Sequence, residues 1–246
     1  MASFAHDVNL RFPLDDPVWL DFFARYDLEP LAYEDMAKLG EDLTRSVAAV
    51  AYLPAGNYFY LRQNPSYTPV ASALGAPDDA AELASVLIVP AASEVTEIGQ
   101  LRGARLAYTH RFCTTSYFAT ALLLHEHGES IGDFFELAEG YAFEAQIEAL
   151  HDGSAEATMV QESVLRNWED AGAAFRVLGR RGHLPGPLVL CGQPAQDDLA
   201  AELAELLINH RPPAGPRTLF SGFAPYRREA VEDFCAASAA ALPPAE

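Results

Sequence analysis

Cysteine is scarce in this chain, with three in 246 residues: Cys113, Cys191 and Cys235. They form no CxxC pair and their number is odd, so no disulfide framework is read and reduced, buried thiols are expected. Basic residues are outnumbered 16 to 35 by acidic ones, for a net charge of −19. That balance argues against nucleic acid or an anionic membrane as partner, because both need positive surface. No apolar run approaches the ~18–20 residues that cross a bilayer. The amino terminus, MASFAHDVNLRFPLDD, has neither a basic n-region nor an apolar h-region, so no signal peptide is read. The expected location is cytoplasmic as numbered, and periplasmic or extracellular if a leader has been removed. Walker loop, GxGxxG, GxSxG and HExxH are all missing. No cofactor, no metal ligand and no catalytic residue is therefore assigned.

What the chain does have is 50% apolar residues, enough for one large domain or for two lobes of about 100–150 residues each. Strands and helices alternate along it. Asp16-Pro17 followed by Trp19, Phe22, Phe23 and Tyr26 predicts a helix with one apolar face. Residues 33–44 predict a second, with Met36, Leu39 and Leu43 inward. Strands are expected at 4–10, 28–32, 47–53, 70–74, 85–89, 104–108, 155–160, 175–178, 188–191 and 220–223. Phe143, Ile147 and Leu150 mark another helical face, as do Leu199, Leu203, Leu206 and Leu207 behind Asp197-Asp198. A last helix from Tyr226 leads to the tail AASAAALPPAE, which is expected to fray. Such alternation implies α/β architecture with largely parallel sheets.

The pivot of the sequence is 101–128, LRGARLAYTHRFCTTSYFATALLLHEHG. A short apolar strand runs into a polar loop, then into Thr114-Thr115-Ser116 at the start of a helix that Gly128 ends. The plain reading of these hydroxyls is an N-cap, with Thr114 as the capping residue. Free N–H groups and the positive end of a helix dipole also make an anion site, with Thr115 and Ser116 as donors. Ligands of such sheets sit at the carboxyl ends of strands. That rule selects four loops: 11–16, 54–58 (read as a turn), 113–117 and 161–163. The candidate ligand-binding residues are Cys113, Thr114, Thr115, Ser116 and Tyr117, with Asn57, Tyr58, Gln161 and Glu162. Cys113 beside His110 is a candidate for a lowered thiol pKa, but no matching base is in view. His125 and His127 diverge on their helix and make no metal pair, and Glu144 with Glu148 reads as a solvated carboxylate pair.

Several local stretches, in order, resemble the phosphate/phosphite/phosphonate-type solute-binding proteins of ABC transporters. Tyr67-Thr68-Pro69-Val70-Ala71 is similar to that family's Tyr-x-Pro-Val-Ala. Residues 85–90 with Ser93 resemble its hinge strand, and Leu101-Arg102-Gly103-Ala104 its Leu-Lys-Gly-Lys. Residues 113–117 stand where the family has Ser-Thr-Ser-Gly-Tyr. Residues 149–157, Pro187-Leu188-Val189 and Ser221-Gly222-Phe223 match the helix–strand of the second lobe, the return hinge and the closing segment. The resemblance implies a two-lobed type 2 periplasmic-binding-protein-like fold. Each lobe would be a mostly parallel sheet flanked by helices, and a two-strand hinge would join them. Lobe 1 is expected at 1–89 plus 189–246 and lobe 2 at 90–188, with ligand in an interlobe cleft. The chain departs from the family at Phe143 (or Ala142), where phosphonate binders carry a ligand-contacting His, and at Gly186, where they often carry Asp. Phe143 joins the candidate contacts on that ground.

The function so implied is non-catalytic binding of a small anionic or polar ligand of phosphonate, phosphate or oxyanion type. The protein would be a solute-binding protein with an ABC permease as partner, or a cytoplasmic relative of one. The alternative is a cytoplasmic enzyme on the same fold, resembling the chorismate dehydratase and futalosine proteins of menaquinone synthesis.

Overall fold

A computed structural model describes residues 2–140, 142–168, 171–192, 197–211 and 219–242. In chain order the elements are β1 (Ala2–Asp7), α1 (Pro17–Arg25), β2 (Leu28–Tyr33), α2 (Met36–Thr44), β3 (Val50–Leu53), α3 (Ala55–Leu61), β4 (Tyr67–Gly75) and β5 (Glu82–Pro90). Then come β6 (Arg105–Tyr108), a π-turn (Thr114–Phe118) running into α4 (Ala119–Glu126), α5 (Ile131–Phe134), β7 (Glu136–Glu139), α6 (Phe143–His151), β8 (Ala157–Gln161) and α7 (Glu162–Arg166). The chain closes with α8 (Ala171–Ala174), β9 (Phe175–Pro185), β10 (Leu188–Gly192), α9 (Asp197–Asn209), β11 (Phe220–Pro225) and α10 (Arg228–Ala241).

These elements form two compact units, residues 1–81 with 185–228, and residues 82–184 with 229–246. The divisions expected from sequence stood at 89/90 and 188/189. In the structure β5 belongs whole to the second unit, because its residues 85–88 pair with β8. Helix α10 is grouped there from Glu229 on, with the Phe234 ring tilted against that of Phe118 at a centroid distance of 5.4 Å.

The first unit holds a six-stranded sheet in the order β11-β4-β10-β3-β1-β2. Here the expectation of a mostly parallel sheet needs correcting. β1 is parallel to β2 and to β3, but β10 runs antiparallel to both its neighbours, and β11 antiparallel to β4. The second unit's sheet, β7-β6-β8-β5-β9, is mixed as well, with β6 parallel to β7 and β8 and β5 antiparallel to β8. Helices α1 and α2 supply the crossovers that the parallel strands β1, β2 and β3 require, whereas β10 enters the sheet directly after β9 of the second unit, with no helix between them.

Local chemistry explains the first helices. Asp16 accepts the Val18 N–H at 2.9 Å and Pro17 presets the first turn, while Trp19, Phe22 and Phe23 are buried. Each such side chain contributes roughly 1.5–3 kcal/mol by leaving water. With Phe4, Phe12, Tyr52 and Phe223 they build an aromatic core on one face of the first sheet. In α2, Asp35 accepts the N–H groups of Ala37 and Lys38, and Met36, Leu39 and Leu43 point inward as expected.

Three further readings change. Residues 54–58, read as a turn, open α3, with Gly56 and Asn57 buried in its first turns. The strand expected from Val47 begins at Val50, and Val47 is exposed. The tail expected to fray is helical to Ala241, with Phe234, Cys235, Ser238 and Ala241 buried. Alanine is the best helix former, and those side chains give the helix a face to bury. Residues 243–246 and the side chain of Asp197 lie outside the described residues.

Candidate functional site

The parallel pairing of β6 with β8 brings their carboxyl ends to one edge of the second sheet. Loop 109–117 follows β6 there, and Gln161, Glu162 and Ser163 end β8 at the same edge. In the first unit β1 and β3 do the same for loops 11–16 and 54–58. The four candidate loops thus form two groups, one per sheet.

In the second unit Cys113, Thr114, Thr115 and Ser116 are all buried, and Tyr117 is half-buried with its ring 5.5 Å from that of Tyr108. Burial, and then the hydrogen bond to Glu139 at 2.9 Å, push the Tyr108 phenol well above its usual pKa. The helix begins as a π-turn: the Phe118 N–H reaches back five residues to the Cys113 carbonyl at 3.1 Å. The N–H groups of Thr115 and Ser116 come before that first helical bond. The capping position is Cys113, not Thr114 as read from sequence, and it makes no side-chain cap bond. A helix that starts one residue early, and with five-residue closure, moves the cap to a residue whose thiol is a weak acceptor. The Cys113 sulfur lies 3.6 Å from Thr115 Oγ1 instead.

Behind this turn runs a buried polar chain that sequence reading missed. The Thr109 N–H donates to Ser116 Oγ at 3.4 Å, which leaves the serine hydroxyl hydrogen available to donate forward. Thr109 Oγ1 accepts from Gln146 Nε2 at 2.9 Å. Gln146 Oε1 and the Ala107 carbonyl share the Thr158 hydroxyl at 3.1 and 2.9 Å. Gln146 is 0% exposed. Its signal was present: it sits at i+3 from Phe143, a polar residue inside an apolar stripe, which needs buried partners.

Glu162 is held by Arg180, whose guanidinium donates at 3.0 and 3.2 Å. Gln161 is buried and its Nε2 donates to Ser163 Oγ at 2.8 Å. Phe143, the first residue of α6, is buried. In the first unit Asn57 is buried, with Nδ2 donating to the Met36 carbonyl at 3.1 Å and Oδ1 without a partner among the described residues. Tyr58 beside it is half-buried. Gly186 bears no side chain for a steric reason: a Cβ there would overlap the Ala73 carbonyl oxygen. No group of three or more His, Cys, Asp or Glu suited to a metal occurs among the described residues.

Comparison with known proteins covers nearly the whole chain. Residues 20–227 match the family model of the periplasmic substrate-binding protein of phosphonate ABC transporters. Among solved structures, a Xanthomonas citri protein bound to ATP superposes at TM-score 0.74 and 16% identity, over 97% of this chain and 96% of that one. The binding-protein component of a Pseudomonas aeruginosa ABC phosphonate transporter gives 0.73 and 11%, over 97% and 87%. PhnD1 of Prochlorococcus marinus in complex with methylphosphonate gives 0.73 and 11%, over 97% of both. At such identities these structures establish the fold. Among curated proteins there is no match.

Proposed function

Because the chain belongs to the family of periplasmic substrate-binding proteins of phosphonate ABC transporters, we propose that it captures a small tetrahedral oxyanion, a phosphonate or phosphate, without transforming it. The observation that carries this reading is the hydroxyl turn. Thr115 and Ser116 are buried, their N–H groups precede the first helical bond, and the capping residue offers them no acceptor. A buried helix start of this kind favours an anion through its N–H groups and dipole. With a net charge of −19 no general field draws an anion in, so affinity rests on local donors. The family match favours capture over the enzymatic alternative. Thr115, Ser116 and Gln161, all in the second unit, are the contacts we propose. An ABC permease as partner and a place outside the cytoplasmic membrane go with the same reading.

Thermal-shift and calorimetric titration with phosphate, methylphosphonate, sulfate and ATP test it. A ligand at a hundredfold excess over its dissociation constant raises stability by about 2.7 kcal/mol. Thr115→Ala and Ser116→Ala should each lose about 1.5–3 kcal/mol of binding, as donors to a charged group do. Should none of these anions shift the melting temperature, the reading is wrong. Unchanged affinity in both variants would remove the hydroxyls from it. By the resemblance, Phe143 (or Ala142) and the sterically required Gly186 stand where phosphonate receptors carry a His donor and often an Asp acceptor, so aminoethylphosphonate should bind no better than methylphosphonate.

A further inference from the structure

Donors for an anion are only half of what lies at this edge of the second sheet. Ser85 on β5 and Gln161 on β8 are register partners in the antiparallel pair, so their side chains leave the sheet side by side. Thr158 sends its hydroxyl to Gln146 on α6. Strand alternation therefore turns Gln161, three residues on, to the opposite face. The π-turn Thr114–Phe118 packs against both β8 and β5. Ser85 is 0% and Gln161 2% exposed, yet Ser85 Oγ and Gln161 Oε1 have no hydrogen-bond partner among the described residues. The amide nitrogen of Gln161 is engaged by Ser163, so the atom left over is an oxygen that can only accept. The Ser85 hydroxyl can donate or accept, whereas Gln161 Oε1 needs a hydrogen from elsewhere, and leaving both buried without partners is costly unless a ligand satisfies them.

We infer that Ser85 and Gln161 form an acceptor edge beside the hydroxyl turn, and that the site selects an oxyanion carrying its own O–H over one that carries none. This rests on the oxyanion reading above and narrows it. The turn takes the ionised oxygens, and the acceptor edge takes the hydrogen of a monoprotonated phosphonate or phosphate. Sulfate, with the same tetrahedral shape and no hydrogen at neutral pH, would set an oxygen against Gln161 Oε1, which can only accept, and could be served at this edge by the Ser85 hydroxyl alone. A site built to pair with one hydrogen rejects the analogue that lacks it.

The test is calorimetric titration of the full chain with methylphosphonate and with sulfate, from pH 5 to pH 8.5. Titratable groups on the elements packed here are Cys113 and Tyr117 on the turn and its approach, His110 before them, Glu162 paired with Arg180, and Glu82 paired with His183. Sulfate controls for all of them, because its charge does not change over this range. The ratio of the two affinities therefore isolates the ligand's own proton. Methylphosphonate should bind at least about tenfold more tightly than sulfate at the acid end, the size of one hydrogen bond to a charged group. The ratio should fall as pH rises through the second ionisation of methylphosphonate. Ser85→Ala and Gln161→Leu should each shrink the ratio mainly by losing methylphosphonate affinity. If those variants do not fold, the pH course of the wild-type ratio decides alone. A ratio near one, or one that ignores pH, overturns the inference while leaving oxyanion binding in place. Failure of both anions to bind at any pH overturns the inference together with the reading beneath it.

Discussion

The helices of this protein start in two ways. α1 and α2 open on Asp16 and Asp35, whose carboxylates take up first-turn N–H groups. The helix starts at three of the four candidate loops have no such cap: Pro54 before α3, Cys113 before the π-turn and Gln161 before α7 make no side-chain cap bond. Capping typically contributes ~1 kcal/mol to a helix. A structural start uses that contribution, whereas a start meant for a ligand leaves the N–H groups open and forgoes it. The contrast sets these three starts apart from α1 and α2, and α6, behind Ala142, likewise starts without a side-chain cap.

The largest effect should come from converting one kind of start into the other. Cys113→Asp places a carboxylate at the capping position, where it occupies first-turn N–H groups and repels an anion. We expect oxyanion binding to fall by at least ~1.5–3 kcal/mol while the apo melting temperature holds or rises. Retained affinity in calorimetry would mean the ligand does not use this helix start. Next comes Gln146→Leu, which leaves Thr109 Oγ1 without its buried donor. Denaturant unfolding should show a loss of about 1–3 kcal/mol, and no change would show that the buried chain behind Ser116 is not sustained.

At a capped start the expected effect is smaller and depends on pH. Burial acts to raise the Asp16 pKa. The hydrogen bond from His210, at 2.8 Å, and the Val18 N–H outweigh it, so the carboxyl is held below its usual range. A depressed carboxyl contributes stability that is complete above the unfolded value, near 4. That contribution is lost as pH falls through the folded one. Asp16→Asn should therefore be less stable than wild type at pH 7, and the gap should close in strong acid. A gap that persists unchanged at pH 2 would assign it to something other than the charge. Smallest of all should be Glu162→Gln at the exposed pair with Arg180, within about 0.5 kcal/mol of stability. A larger loss would give α7 a scaffold role that its uncapped start does not suggest.

Much of the scaffold was legible because it is written in local pattern. Asp16-Pro17 with Trp19, Phe22 and Phe23 gave both the start and the buried face of α1, and the order of local matches gave the family. Residues 54–58 misled because Pro, Gly and Asn are turn formers, yet burial beneath tertiary contacts made them a helix. Sheet direction was illegible since β10 and β4 each read as a short apolar run, whichever way they pair. The candidate site was half visible. Thr114-Thr115-Ser116 is a local cluster, but Gln146 reaches Thr109 across 37 positions, and the Ser85–Gln161 pairing joins distant strands. No periodicity in one sequence reports such partners.

The place of β10 has a consequence for how the protein is made. It lies between β3 and β4 in the first sheet, although it is encoded far downstream of both. On the ribosome, β3 and β4 must wait for a strand that has not yet been synthesised, on the order of ten seconds at ordinary elongation rates. During that time two apolar strands have open hydrogen-bonding edges, the usual template for pairing with another chain. The second unit is completed later still, by the helix that brings Phe234 to Phe118. The first unit is complete once residue 228 has been made and the second only with α10, so termination before β10 should yield aggregating fragments, not an independently folded half.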